Sequence, residues 1–112
     1  MSIMEFLQKA VEDKASDVFI IAGLPVSMRV HGKIVNISED MLKPDQTEAL
    51  IREIYELAAD RNMDAFVENG DDDFAFALPG LSRFRVNAYK QRGSLSAVVR
   101  VITFELPDPK AL

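Results

Sequence analysis

Four arginines in the last third of the chain, Arg83, Arg85, Arg92 and Arg100, are the residues best suited by type to do chemistry. A guanidinium presents a planar fork of N–H donors and keeps its charge, so grouped arginines grip phosphate or carboxylate oxygens. Arg83, Arg85 and Asn87 alternate with Phe84, Val86 and Ala88. In a strand, that spacing projects the first set from one face at intervals of about 6–7 Å. Arg92 follows in the turn Gln91-Arg92-Gly93-Ser94. Arg100 interrupts Ala97-Val98-Val99 and Val101-Ile102, where a buried unpaired charge is costly. It must pair with a carboxylate such as Asp73 or lie at an edge facing a ligand. For the strand face, plain solvation is the other reading.

These arginines stand out against an acidic background. Residues 1–80 hold seven basic and sixteen acidic side chains, whereas residues 81–112 hold six and two. Such a split suits a surface that meets something negative. The net charge of −5 argues against wholesale nucleic-acid binding, and Phe84 and Tyr89, on opposite faces, make poor base-stacking platforms. The 112 residues suffice for one domain with one core. Absence of cysteine excludes disulfides and thiolate metal sites and fits a cytoplasmic location. No apolar run reaches the ~20 residues of a membrane span, and the start lacks the pattern of a secretory signal.

No catalytic constellation emerges. His31 is the single histidine and sits in a tight turn. Asp71-Asp72-Asp73 lacks calcium-loop spacing and reads as a solvated loop, so no metal site is expected. Walker A, dinucleotide and nucleophile-elbow patterns are missing.

The positioning elements follow from local signals. Ser2 and Glu5 form a capping-box pattern ahead of Ile3, Leu7, Ala10 and Val11, which predicts a helix over 3–14. Strands are expected over 17–21 and 26–30, the second turning through His31-Gly32 into 33–37. Pro44 and Asp45 open a helix whose apolar stripe is Leu50, Ile51, Ile54, Leu57 and Ala58. Asp60 caps a shorter helix with Met63, Phe66 and Val67 inward, stopped at Asn69-Gly70. From Asp73 the period is two: Phe74, Phe76 and Leu78 share a face, Pro79-Gly80 turns, and strands follow over 82–90 and 95–104. Helices with antiparallel hairpins imply an α+β domain with one sheet face covered. The domain is expected over 1–104, with 105–112, containing Pro107 and Pro109, as a linker.

Three segments carry a family resemblance: Ala15-Ser16-Asp17-Val18 with Gly23-Leu24-Pro25 and Arg29-Val30-His31-Gly32; Asp73-Phe74-Ala75-Phe76 with Pro79-Gly80-Leu81-Ser82-Arg83-Phe84-Arg85-Val86-Asn87; and Gln91-Arg92-Gly93 with Val98-Val99-Arg100-Val101-Ile102. In order and spacing the chain resembles the N-terminal domain of the type IV pilus retraction ATPases, the PilT/PilU group of the secretion-ATPase superfamily. Phe19, His31 and Ala75 depart from that pattern, standing where histidine, aspartate and serine are usual.

The resemblance implies a PAS-like antiparallel sheet of about six strands with helices on one face. It also implies a RecA-like P-loop motor beyond residue 112, a homohexamer, and ATP with Mg²⁺ in the whole protein. No tightly bound cofactor is then expected on this segment. Arg85 and Arg100, with Arg83 and Arg92 after them, would contact the nucleotide phosphates. Pilus or secretion machinery would be the partner, at a cytoplasmic location peripheral to the inner membrane, without membrane insertion or nucleic acid. A stand-alone PAS-like sensor or protein-interaction module is the competing expectation.

Overall fold

A computed structural model describes residues 2–59 and 61–102. Its elements run α1 (Ile3–Glu12), β1 (Asp17–Ile20), β2 (Ser27–Val30), β3 (Lys33–Asn36), α2 (Pro44–Ala58), α3 (Met63–Asn69), β4 (Asp71–Leu78), β5 (Ser82–Gln91) and β6 (Ser94–Ile102). The strands form one antiparallel sheet in the order β3-β2-β1-β6-β5-β4. The expected α+β architecture, a six-stranded antiparallel sheet with helices on one face, is observed. No described helix is long and apolar enough to cross a membrane.

Helix ends follow the capping chemistry. The Ser2 hydroxyl accepts from the Glu5 N–H, and the Glu5 carboxylate accepts from the Ser2 N–H. At α2, Pro44 fills the first turn and the Gln46 side chain accepts from the Lys43 N–H at 2.8 Å. α3 is capped by Asn62, whose Oδ1 accepts from the Asp64 N–H. The expected cap, Asp60, lies outside the described residues. Val67 is exposed, so only Met63 and Phe66 of that predicted inward trio are buried; a seven-residue helix has too few turns to bury a broader stripe.

Two hairpin loops share one device. His31-Gly32 joins β2 to β3 and Arg92-Gly93 joins β5 to β6, with φ of 51° and 79° in the first and 53° and 80° in the second. Paired positive φ values match the right-handed twist of the flanking strands.

The core lies between the helices and one face of the sheet. Phe6 and Leu7 of α1, Ile51 and Ile54 of α2 and Phe66 of α3 meet Val18, Ile20, Phe84, Val86 and Val99 from the strands. Phe76 and Phe84 stack at 5.3 Å between β4 and β5. The opposite sheet face is left open, and it carries Asp17, Phe19, Arg29, Asp73, Arg83, Arg85, Asn87, Val98 and Arg100.

Asp71, Asp72 and Asp73 are not a solvated loop; they are the first three residues of β4. Alternation sends their side chains to different fates. Asp72 accepts a 2.7 Å hydrogen bond from the Tyr55 hydroxyl and pairs with Arg61, which also lies over the Phe74 ring. Burial, and then the hydrogen bond to Asp72, hold the Tyr55 pKa far above the usual phenol value, while Arg61 works against them. Tyr55→Phe is expected to cost about 1.5 kcal/mol in urea melts, the low end for a bond to a charged group because Arg61 remains. Since the folded-state pKa is raised, this contribution is whole below pH ~10 and declines as pH rises above it. The Phe variant should lack that alkaline decline.

Candidate functional site

Register brings the arginines together. One lateral row crosses the open face through Ile34, Arg29, Asp17, Arg100, Arg85 and Ala75 on successive strands. Neighbouring strands lie about 4.8 Å apart, so these side chains stand shoulder to shoulder. The adjacent row holds Phe19, Val98, Asn87 and Asp73. Between the rows lies a shallow depression of about 220 Å³ lined by Asp17, Asp73, Arg85, Asn87, Val98 and Arg100.

Arg100 departs from its expected setting. It is neither buried nor at an edge: β6 is central in the sheet, and the Arg100 side chain is 71% exposed on the open face. Its carboxylate partner is Asp17, with Nε 3.6 Å from Oδ1, and not Asp73. The apolar run around it reflects a strand whose inward residues are Ala97 and Val99, while Val98 stays half-buried on the outer face. Asp73 instead takes Arg85, through Nε at 3.5 Å and Nη2 at 3.3 Å. Arg29 reaches Asp17 at 3.9 Å and places its guanidinium 5.6 Å from the Phe19 ring centroid.

Arg85 and Arg100 are therefore direct cross-strand partners of like charge, an arrangement that is destabilising without compensation. Three guanidiniums of the two rows, from Arg29, Arg85 and Arg100, share two carboxylates, Asp17 and Asp73. The surplus is positive and faces solvent. Among the described residues no cluster of His, Asp and Glu could hold a metal ion.

The other two candidates lie further away. Arg83 is on the same face one pleat along, opposite Ile102 and Ala77. Arg92 is seven residues from Arg85 at the far end of the hairpin, about 20 Å along the strand, beside a separate hollow lined by Gly23, Leu24, Ser94 and Ser96. Residue type and spacing do not by themselves single out Arg29 and Asp17 as site residues. A weaker signal exists, since Arg29 alternates with the apolar Met28 and Val30 and Asp17 opens a buried strand.

Against known proteins, no protein-family model matches the chain. The type IV pilus ATPase PilU of Pseudomonas aeruginosa is 35% identical over 112 residues, covering 100% of this chain and 28% of PilU. PilT of the same organism, a type IV pilus retraction ATPase, is 39% identical over 102 residues, covering 91% of this chain and 29% of PilT. The crystal structure of the pilus retraction motor PilT with bound ADP superposes with a TM-score of 0.81 at 34% identity, over 100% of this chain and 32% of that one. The chain is a homologue of the N-terminal domain of the PilT and PilU ATPases. It spans between about a quarter and a third of the length of its curated relatives. A Neisseria gonorrhoeae twitching motility protein is 28% identical over 101 residues, 90% of this chain and 26% of that protein. The Legionella pneumophila ATPase DotB shares the fold, with a TM-score of 0.70 at 22% identity over 96% of this chain and 31% of DotB. The strand residues of the resembling segments fall on β1, β2, β4, β5 and β6, which carry the charged residues of the open face.

Proposed function

We propose that this chain is the nucleotide-contacting and regulatory N-terminal domain of a hexameric type IV pilus retraction or secretion ATPase, without hydrolytic activity of its own. The observation that carries this reading is the Arg85–Arg100 pair in register on an uncovered sheet face. Two adjacent guanidiniums with a positive surplus are suited to phosphate oxygens. The depression they line, about 220 Å³, is smaller than the roughly 300 Å³ at which small-molecule pockets begin. It accommodates a phosphate group and leaves the rest of a nucleotide to another surface.

That other surface would be a RecA-like domain of the same or a neighbouring subunit. ATP and Mg²⁺ would be held there, and the arginines would stabilise phosphate charge as the domains close. Arg83, on the same face, would add long-range attraction; Arg92 is too distant to share one phosphate with Arg85. Pilus or secretion machinery would be engaged by the assembled ring, in the cytoplasm and peripheral to the inner membrane. The coding sequence after Leu112 is expected to continue into a P-loop domain. A stop codon there, with no motor domain in the gene, would remove the motor assignment.

A further inference from the structure

We propose that the two aspartates of the arginine row have opposite roles: Asp17 is a fixed post that positions Arg100, and Asp73 is a releasable competitor that occupies Arg85 until an anion takes it. This rests on the phosphate-contact reading above and adds to it how the site is held ready and what an anion must displace.

The geometry distinguishes the two carboxylates. The Asp17 side chain is only 13% exposed, accepts a 2.7 Å hydrogen bond from the Ser16 hydroxyl and lies between Arg100 and Arg29. Its strand is hydrogen-bonded on both sides, to β2 and β6. Arg100 meets it at 3.6 Å through Nε, an ion pair longer than a hydrogen bond. The contact anchors the side chain without filling its fork. Asp73 is different in each respect. It is 52% exposed, sits on the edge strand β4, and engages both Nε and Nη2 of Arg85 at 3.3–3.5 Å. Exposed pairs of this kind hold weakly. A divalent or higher-charged phosphate entering the depression gains more from Arg85 than Asp73 does, because it is also held by Arg100. Arg85 then leaves Asp73, and Arg100 stays where Asp17 holds it.

A bare field effect makes a different forecast. Removing either negative charge near an anion would tighten binding by similar factors. Separate roles predict opposite signs. Inorganic pyrophosphate is to be titrated into the isotope-labelled 112-residue chain, following arginine Nε–Hε and aspartate carboxyl resonances. Asp73→Asn is expected to bind about fivefold more tightly than wild type, and Asp17→Asn about fivefold more weakly. In the wild type the Asp73 carboxyl resonance should move with the Arg85 Nε–Hε signal while that of Asp17 stays. Equal tightening by both variants, or joint movement of both carboxyls, overturns the division of roles while leaving an anion site in place. No arginine response to millimolar pyrophosphate in wild type or Asp73→Asn removes the phosphate-contact reading itself, and this proposal with it. Should Asp17→Asn fail to fold, the wild-type carboxyl signals decide between the two forecasts.

Discussion

On the proposed function, Arg100→Ala in a full-length motor carrying this domain is expected to lower ATP turnover about a hundredfold, while the domain melts within about 1 kcal/mol of wild type. The first magnitude is that of losing one preorganised charge contact to a reacting phosphate or oxyanion. The second follows from what remains: the Arg100 side chain is 71% exposed, and without it Asp17 keeps its contacts with Ser16 and Arg29, so little stability is lost. Arg85→Ala is expected to act in the same direction but less severely, because wild-type Arg85 must first leave Asp73. Arg92→Ala serves as the comparison, and its effect should be small because that residue is at the far end of the hairpin. Steady-state ATPase assays with urea melts of the same variants check the pattern. Unchanged turnover in both Arg85→Ala and Arg100→Ala would retire the nucleotide-contact role. Unfolding by Arg100→Ala would show that the ion pair with Asp17 is structural after all.

Residue patterns made most elements legible because their causes are local. The Ser2–Glu5 box, Pro44, the two Xaa-Gly turns and the period-two run from Phe74 each act within a few residues, and each element lies close to where its signal places it. Local patterns mislead where distant contacts decide. An apolar run around Arg100 looks buried from sequence, yet only every second residue points inward, and helices cover only one face. The partner of Arg100 depends on β1 lying beside β6, some eighty residues away in the chain. Three consecutive aspartates favour a loop on propensity. Tyr55 and Arg61 override that by giving Asp72 a neutralising site on α2 and the segment after it.

Strand alternation also sets the largest stability effect, and it separates neighbours. Phe84 is fully buried in the core and stacked on Phe76, so Phe84→Ala removes a ring and leaves a cavity among close-packed neighbours. The expected cost is about 3–5 kcal/mol. For a domain whose whole stability is on the order of 5–15 kcal/mol, that can leave a large unfolded population at room temperature. Phe84→Leu keeps most of the volume and should cost far less. One residue on, Arg85→Ala should leave the urea midpoint nearly unchanged, since its side chain is 63% exposed on the other face. The pair is thus expected to give inverse outcomes: position 84 governs whether the domain folds, and position 85, on the proposed function, what the folded domain binds. A cost below about 1 kcal/mol for Phe84→Ala, set against the range expected for a buried ring, would mean that β5 does not present this face to the helices. The arginine row, which depends on the same register, would then lose its geometric basis.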